Sequence, residues 1–222
     1  MAVLPPRRWS ATQVRRSKPV IWASGLYPLA SWIYLAMQDA LTANPPEYLI
    51  RSTGVWALVF LWLTLALSPL ARFSGQPALI VVRRLLGLFC FFYTVLHIIG
   101  WALWERGLSL SLMLTDIGQR PFILIGTVAS LLLLALAATS TQAAMRRLGR
   151  RWKTLHRTIY LIAVLSLWHY WLVKAGKQDF QMPLVHMGVF GVLMLTRAGR
   201  MTRRQPTSPS ATHRSKTDCR HK

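Results

Sequence analysis

The 222-residue chain has few acidic residues and few cysteines. Only 6 residues are Asp or Glu, against 27 Lys or Arg, and 2 are Cys. Cys90 falls in an apolar stretch and Cys219 in a basic tail, so we expect no disulfide framework. The chain also lacks a serine elbow, a phosphate-binding loop, an HExxH motif and a dinucleotide fingerprint, which leaves hydrolysis and direct nicotinamide binding without a basis in the sequence.

Long apolar runs dominate what the sequence does contain. Hydrophobic residues make up 53% of the chain and charged residues 15%, and the mean hydropathy is +0.35. Runs of about 17 to 25 apolar residues are long enough to cross a hydrocarbon core of about 30 Å. The sequence therefore predicts an all-α integral membrane protein with six transmembrane helices. The predicted spans are 20–38, 54–71, 85–104, 121–139, 154–173 and 182–197. Between the third and fourth spans, 105–120 is predicted as a loop whose apolar middle lies on the membrane surface.

The basic residues predict the orientation of these spans. If the N-terminus is cytosolic, 22 of the 27 Lys and Arg lie on the cytosolic side, and five of the six acidic residues lie on the other. This is the positive-inside pattern, and it places both termini in the cytosol. We expect a basic cytosolic arm at 1–18, a six-helix transmembrane domain at 19–198 and a basic, disordered tail at 199–222. Because the charge follows topology and no recognition motif accompanies it, we expect no nucleic-acid partner.

Two histidines share one predicted depth in the outer half of the membrane. His97 lies about 10 Å from the outer end of the third span and His169 about 8 Å from that of the fifth. Ionisable groups inside spans are usually functional, and neutral imidazole is an axial ligand of haem iron. We therefore expect the pair to ligate a haem inside a four-helix core. Alternatively, each histidine only hydrogen-bonds a neighbouring helix. Zinc lacks an evident third or fourth ligand.

His156 marks a second level, 13 residues before His169 and about 20 Å from it along a helix. The facing position on the third span is Arg84, next to Arg83. A cytosolic site would pair His156 with another ligand, or the arginines would hold a haem propionate or a flavin phosphate; His156 could also simply meet lipid headgroups. An ideal helix leaves the two histidines some 140° apart, so the helix must bend or the cofactors must lie on different sides. His186 is a further possible outer ligand.

Specific strings add a resemblance to a known family. The chain is similar over residues 15–198 to the MsrQ (YedZ) family, part of the ferric-reductase-like transmembrane group. The matching strings are LSPLAR at 67–72, RRLLGLFCFFYTVLH at 83–97, ATSTQA at 138–143, LGRRWKTLHRTIYL at 148–161 and WHYWLVK at 168–174. The resemblance implies a six-helix b-type cytochrome of the bacterial inner membrane. The cytosolic flavin and nicotinamide domains of larger members are absent from this sequence.

The resemblance also implies a role in electron transfer. Electrons from a cytosolic flavin reductase or from the quinol pool would pass through one or two haems b, and possibly FMN, to MsrP. That periplasmic molybdopterin subunit reduces methionine sulfoxide in envelope proteins, so substrate reduction would belong to the partner. The family's histidines fall on His97, His156 and His169, and its arginines on Arg83 and Arg84. Two other interpretations remain: a non-haem membrane scaffold or transporter, and a stand-alone metal or quinone reductase of the same fold.

Overall fold

The computed structural model describes residues 9–198, and this part of the chain contains helices and no strand. The α-helices are α1 Ala11–Arg16, α2 Lys18–Met37, α3 Pro45–Phe73, α4 Arg83–Gly100, α5 Leu110–Gln119, α6 Pro121–Ala138, α7 Gln142–Leu148, α8 Arg150–Leu155, α9 Ile159–Ala175 and α10 Gln181–Ala198. Two 3-10 segments, Pro77–Val82 and His156–Thr158, precede α4 and α9, and a π-helical turn, Trp101–Glu105, follows α4.

Five helical segments are long and apolar enough to cross a membrane. They are Thr12–Met37, Pro45–Phe73, Pro77–Glu105, Pro121–Ala138 and Arg150–Ala175, and each contains one of the first five predicted spans. The predicted sixth span corresponds to α10, which has 18 residues but is not among these five. The count of six and the cytosolic placement of both termini stay predictions. The predicted tail, 199–222, lies outside the described residues.

The second span begins earlier than predicted because its first turn is well capped. The side chain of Asn44 accepts a hydrogen bond from the backbone N–H of Glu47 at 3.4 Å. Pro45 and Pro46 occupy the first helical turn, where their missing N–H groups would have no helical partner in any case. Glu47 then pairs with Arg51 one turn later at 2.5 Å. The acidic stretch predicted as a loop is therefore largely helical.

Two helix pairs form the centre of the fold. Helix α3 packs along α4, and α6 packs along α9, while α4 also contacts α6 and α10 lies against α3 and α9. Leu65, Tyr93 and Ala163 are fully buried where these helices meet. The Tyr93 hydroxyl donates to the backbone oxygen of Gly25 at 2.7 Å and so ties α2 to the centre. An aromatic and aliphatic core thus holds α4 and α9 in fixed positions.

The segment predicted as the outer loop contains a helix. Helix α5 begins after Ser109, whose hydroxyl accepts from Leu112 N–H at 3.5 Å. Asp116 on this helix is buried and forms ion pairs with Arg106 and Arg120, the latter at 3.3 Å. The leucines of α5 are exposed (Leu110, Leu112 and Leu114). The predicted apolar surface is therefore present, but on an ordered helix anchored by a buried carboxylate.

The end of the predicted N-terminal arm contacts the rest of the fold. Helix α1 contacts the 3-10 segment before α4, and Val14 on this helix is buried. The backbone N–H of Trp9 donates to Oε1 of Gln76 at 2.7 Å. From residue 9 onward this stretch is thus anchored beside the start of α4.

Candidate functional site

The structure brings His97 and His169 together. His97 lies on α4 and His169 on α9, and the centroids of their rings are 6.1 Å apart, with the ring planes inclined at 85°. The predicted common depth of these two histidines is therefore a direct juxtaposition. Trp104 and Trp168, predicted near the same level, are about half exposed.

Hydrogen bonds determine which nitrogen of each ring carries the proton. Nδ1 of His97 lies 2.8 Å from the backbone oxygen of Ile50, and Nδ1 of His169 lies 2.6 Å from that of Phe122. A carbonyl oxygen only accepts hydrogen bonds, so each Nδ1 must donate. In the neutral ring the proton is then on Nδ1, and Nε2 keeps its lone pair. This is the tautomer of an imidazole that binds metal through Nε2 and is oriented by a second partner.

The spacing of the two rings fits an iron between them. A metal–imidazole bond of about 2 Å, with roughly 1 Å more from the nitrogen to the ring centre, places two centroids about 6 Å apart across one ion. The observed separation of 6.1 Å agrees with this value. Two imidazoles with free Nε2 atoms at this distance are the donor set of a six-coordinate haem iron. The residues present therefore fit the implied haem.

Two glycines give the imidazoles their space. A Cβ added to Gly54 would lie 3.1 Å from Nδ1 of His97, and one added to Gly126 would lie 2.8 Å from Nδ1 of His169. Each glycine comes one helical turn after the carbonyl that accepts from the same ring, at Ile50 or Phe122. The ring therefore packs flat against bare backbone.

The same arrangement occurs twice in the chain, with a separation of 72 residues. His97 and His169, Ile50 and Phe122, and Gly54 and Gly126 are each 72 positions apart, so every acceptor lies 47 residues before its histidine. The pairs α3–α4 and α6–α9 thus present their ligands in matching ways. Our reading of the sequence found the histidines but missed the glycines and the acceptors, although histidine and glycine at one common separation were visible in it.

His156 has different surroundings. Its Nε2 lies 3.2 Å from Oγ1 of Thr139, and that hydroxyl donates to the backbone oxygen of Ala135 at 2.7 Å. The hydroxyl proton is thus committed, so Nε2 of His156 is the donor and Nδ1 holds the lone pair. The indole of Trp152 stacks on the imidazole with centroids 4.1 Å apart. His156 is therefore held by a threonine and a tryptophan, and iron binding through its Nε2 requires the Thr139 contact to break.

The two predicted arginines behave differently from each other. Arg83 is half-buried, and its Nη1 lies 3.5 Å from Oγ of Ser68. It is close enough to interact electrostatically with both His156 and Arg197. Arg84, 13 residues before His97, is exposed. Positive charge therefore gathers near His156 from Arg83 and Arg197, and an anionic group suits this end of the fold better than a second cation.

The chain bends between the histidines of the fifth span. Helix α8 ends at Leu155, a 3-10 segment covers His156–Thr158, and α9 begins at Ile159. The predicted continuous helix from Lys153 is therefore wrong at its start. A 3-10 segment turns through about 120° per residue instead of 100°, which changes the direction of side chains that follow. The bend required for both histidines to face one core is thus present at His156 itself.

His186, the predicted substitute ligand, has the opposite tautomer. The indole Nε1–H of Trp62 donates to its Nδ1 at 2.8 Å, so the proton of the neutral imidazole is on Nε2. An Nε2 that carries a proton has no lone pair for iron. His186 therefore differs from His97 and His169 in the property that matters for ligation.

Comparison with known proteins gives a consistent family. A family model described as the ferric reductase like transmembrane component matches residues 53–167. The chain is 49% identical to the protein-methionine-sulfoxide reductase heme-binding subunit MsrQ of Bordetella pertussis, over 91% of this chain and 98% of that protein. The MsrQ of Ralstonia nicotianae is 45% identical over 87% of each chain. The MsrQ of Cronobacter sakazakii is 46% identical over 75% of this chain and 84% of its own. No solved structure matches.

Proposed function

Because this chain belongs to the ferric reductase-like transmembrane family and, within it, to the MsrQ heme-binding subunits, we propose that it is a b-type cytochrome that relays electrons across the membrane. It is a multi-pass protein of the bacterial inner membrane. The relay would end at MsrP, the periplasmic molybdopterin subunit that reduces methionine sulfoxide in envelope proteins. It would begin at a cytosolic flavin reductase or at the quinol pool.

The observation that carries this proposal is the facing pair of imidazoles. His97 and His169 come from different helix pairs, lie 6.1 Å apart between ring centroids and both keep Nε2 unprotonated. A haem iron with two imidazole ligands exchanges single electrons and has no open position for a substrate. The backbone oxygens of Ile50 and Phe122 orient the rings and increase their basicity. Chemistry on the sulfoxide would therefore take place on another subunit.

The cytosolic level supports a second, unlike cofactor position. His156 would be its ligand or its stacking partner, and Arg83 and Arg84 would neutralise an anionic group such as a haem propionate or the phosphate of FMN. Arg83 and Arg197 already gather positive charge beside the imidazole. In this proposal the outer position is a bis-histidine haem, and the inner position accepts electrons from the donor.

Haem spectra of purified variants test the ligand assignment. The wild-type protein in detergent should show reducible b-type bands, with a haem-to-protein ratio from the pyridine haemochrome. His97→Ala or His169→Ala should remove or strongly alter these bands, because each takes away one axial ligand. His186→Ala is the matched control: it removes an intramembrane imidazole whose Nε2 is protonated, so the bands should persist.

Two results would contradict the proposal. A colourless, folded wild-type protein would favour the scaffold or transporter interpretation. Unchanged spectra after both ligand substitutions would reject the assignment of His97 and His169. A protein that reduces free metal ions from quinol with no partner subunit would instead indicate a stand-alone reductase.

A further inference from the structure

His186 carries a hydrogen-bond donor that is not used by the described part of the chain. Trp62 fixes its Nδ1 as an acceptor at 2.8 Å, so Nε2 carries the proton. No residue between 9 and 198 accepts a hydrogen bond from that N–H. Trp62 is itself buried, which keeps the imidazole from turning over. The ring therefore presents one N–H in one direction.

The surroundings of this N–H are apolar. His186 follows Gln181 by five residues, which places it about 7 Å along a helix of roughly 27 Å. Its neighbours on α10 include the exposed side chains of Leu184, Val185 and Met187, as expected for a surface that faces lipid. Helix α10 packs against α3 and α9, two of the five candidate spans. Hydrocarbon offers no acceptor, so an unpaired N–H at this depth is costly.

Aromatic rings surround the same imidazole. The ring of Tyr170 lies 5.6 Å from that of His186 at an angle of 77°, and the indole of Trp62 lies 6.4 Å away. Phe190, one turn further along α10, packs against Trp62 at 5.7 Å. Such walls suit a flat, apolar head group that carries an acceptor oxygen.

We propose that the Nε2–H of His186 binds an oxygen of a membrane quinone head group, between α9 and α10. A quinone offers a carbonyl acceptor on a planar ring and dissolves in the hydrocarbon where this N–H lies. Tyr170, which contacts His186, directly follows His169 in the chain. A head group bound there would lie beside the ligand of the outer haem. Glycerolipid ester carbonyls offer the same acceptor, but they lie nearer the headgroups than a residue one and a half turns into the helix.

This inference rests on the proposed function and names the quinone pool as a direct partner of the relay. Binding of ubiquinone-1 to the purified haem-loaded protein in detergent tests it, with affinity measured by equilibrium dialysis. His186→Phe should weaken binding about tenfold, which corresponds to one lost hydrogen bond, and should leave the haem bands unchanged. His186→Gln keeps an N–H donor and should recover part of the affinity. Val185→Phe, an exposed neighbour on α10, is the matched control and should bind as the wild type does.

The outcomes separate the two proposals. Equal affinity in the wild type, His186→Phe and His186→Gln would overturn the quinone site while the haem spectrum stands. Loss of co-purified phospholipid in His186→Phe, without any change in ubiquinone-1 binding, would make a lipid ester the occupant and would also overturn it. Absence of haem bands in the wild type would instead be a failure of the proposed function. The melting temperatures of the variants show whether each one is folded.

Discussion

Replacing Gly126 with alanine tests whether the bare backbone beside His169 is needed for haem binding. The new Cβ would lie 2.8 Å from Nδ1 of His169 and 3.0 Å from Cε1. The imidazole must therefore move away by roughly 0.6 Å to reach ordinary contact distance. Because Phe122 lies on the same helix one turn earlier, this movement lengthens the 2.6 Å hydrogen bond to its oxygen towards about 3.2 Å, the limit of such bonds.

The expected effect on the haem follows from that bond. Loss of a partner that orients a metal-binding histidine costs about 10- to 100-fold in metal affinity, or about 1.4 to 2.7 kcal/mol. The Gly126→Ala protein should therefore retain less haem after extensive washing. Its midpoint potential should rise, because an imidazole that donates a weaker hydrogen bond stabilises the ferric state less. The pyridine haemochrome and a redox titration measure the two quantities.

Two further glycine substitutions make the experiment selective. Gly54→Ala places its Cβ 3.1 Å from Nδ1 of His97, a milder contact that should give a smaller change in the same direction. Gly188→Ala on α10 meets nothing within 4 Å. It should keep full haem content and gain up to about 1 kcal/mol of stability from helix propensity. A Gly126→Ala protein with wild-type haem content and potential would refute the packing argument.

Three other changes test the fold around the site. Asp116→Asn should lower the free energy of unfolding by about 3 kcal/mol, since it leaves the arginines paired with Asp116 without a counter-charge, and denaturant titration of the detergent-solubilised protein checks this. Gly25→Ala would place a Cβ 2.5 Å from the ring of Phe89, so its melting temperature should fall well before any haem band shifts. The hydrogen bond from Lys174 holds the pKa of Asp179 below its usual value, so this carboxylate stabilises the fold above about pH 4. The difference in melting temperature between the wild type and Asp179→Asn should therefore fade as the pH falls through that lowered pKa, and a constant difference would contradict it.

Hydropathy and charge were sufficient to predict the five spans confirmed by the structure. An apolar run of the right length has few alternatives to a membrane helix, because every backbone N–H and C=O must be satisfied inside the segment. Helix ends were harder to predict. The start of α3 depends on the Asn44 cap and on an ion pair within the first turn, which average hydropathy does not detect. The break at His156–Thr158 contains neither proline nor glycine, so local sequence gave no sign of it.

The candidate site was predicted as residues but not as chemistry. Depth along each helix was enough to pair His97 with His169. It could not distinguish His169 from His186, because that difference lies in the proton. A backbone carbonyl at Phe122 places the proton of His169 on Nδ1, and the indole of Trp62 places that of His186 on Nε2. Only the packing of distant helices decides which partner each ring meets.

The 72-residue repeat also explains why the two levels of the membrane differ. At the outer level the repeat is complete, and histidine, acceptor and glycine all recur. At the inner level it fails: the position 72 residues before His156 is Arg84, and the position 72 before Thr139 is Leu67, which has no hydroxyl to accept from a ring. A single iron with two equal ligands needs two matching halves. An anionic cofactor or an incoming donor needs positive charge and an open side instead, and this is what the unmatched inner level offers.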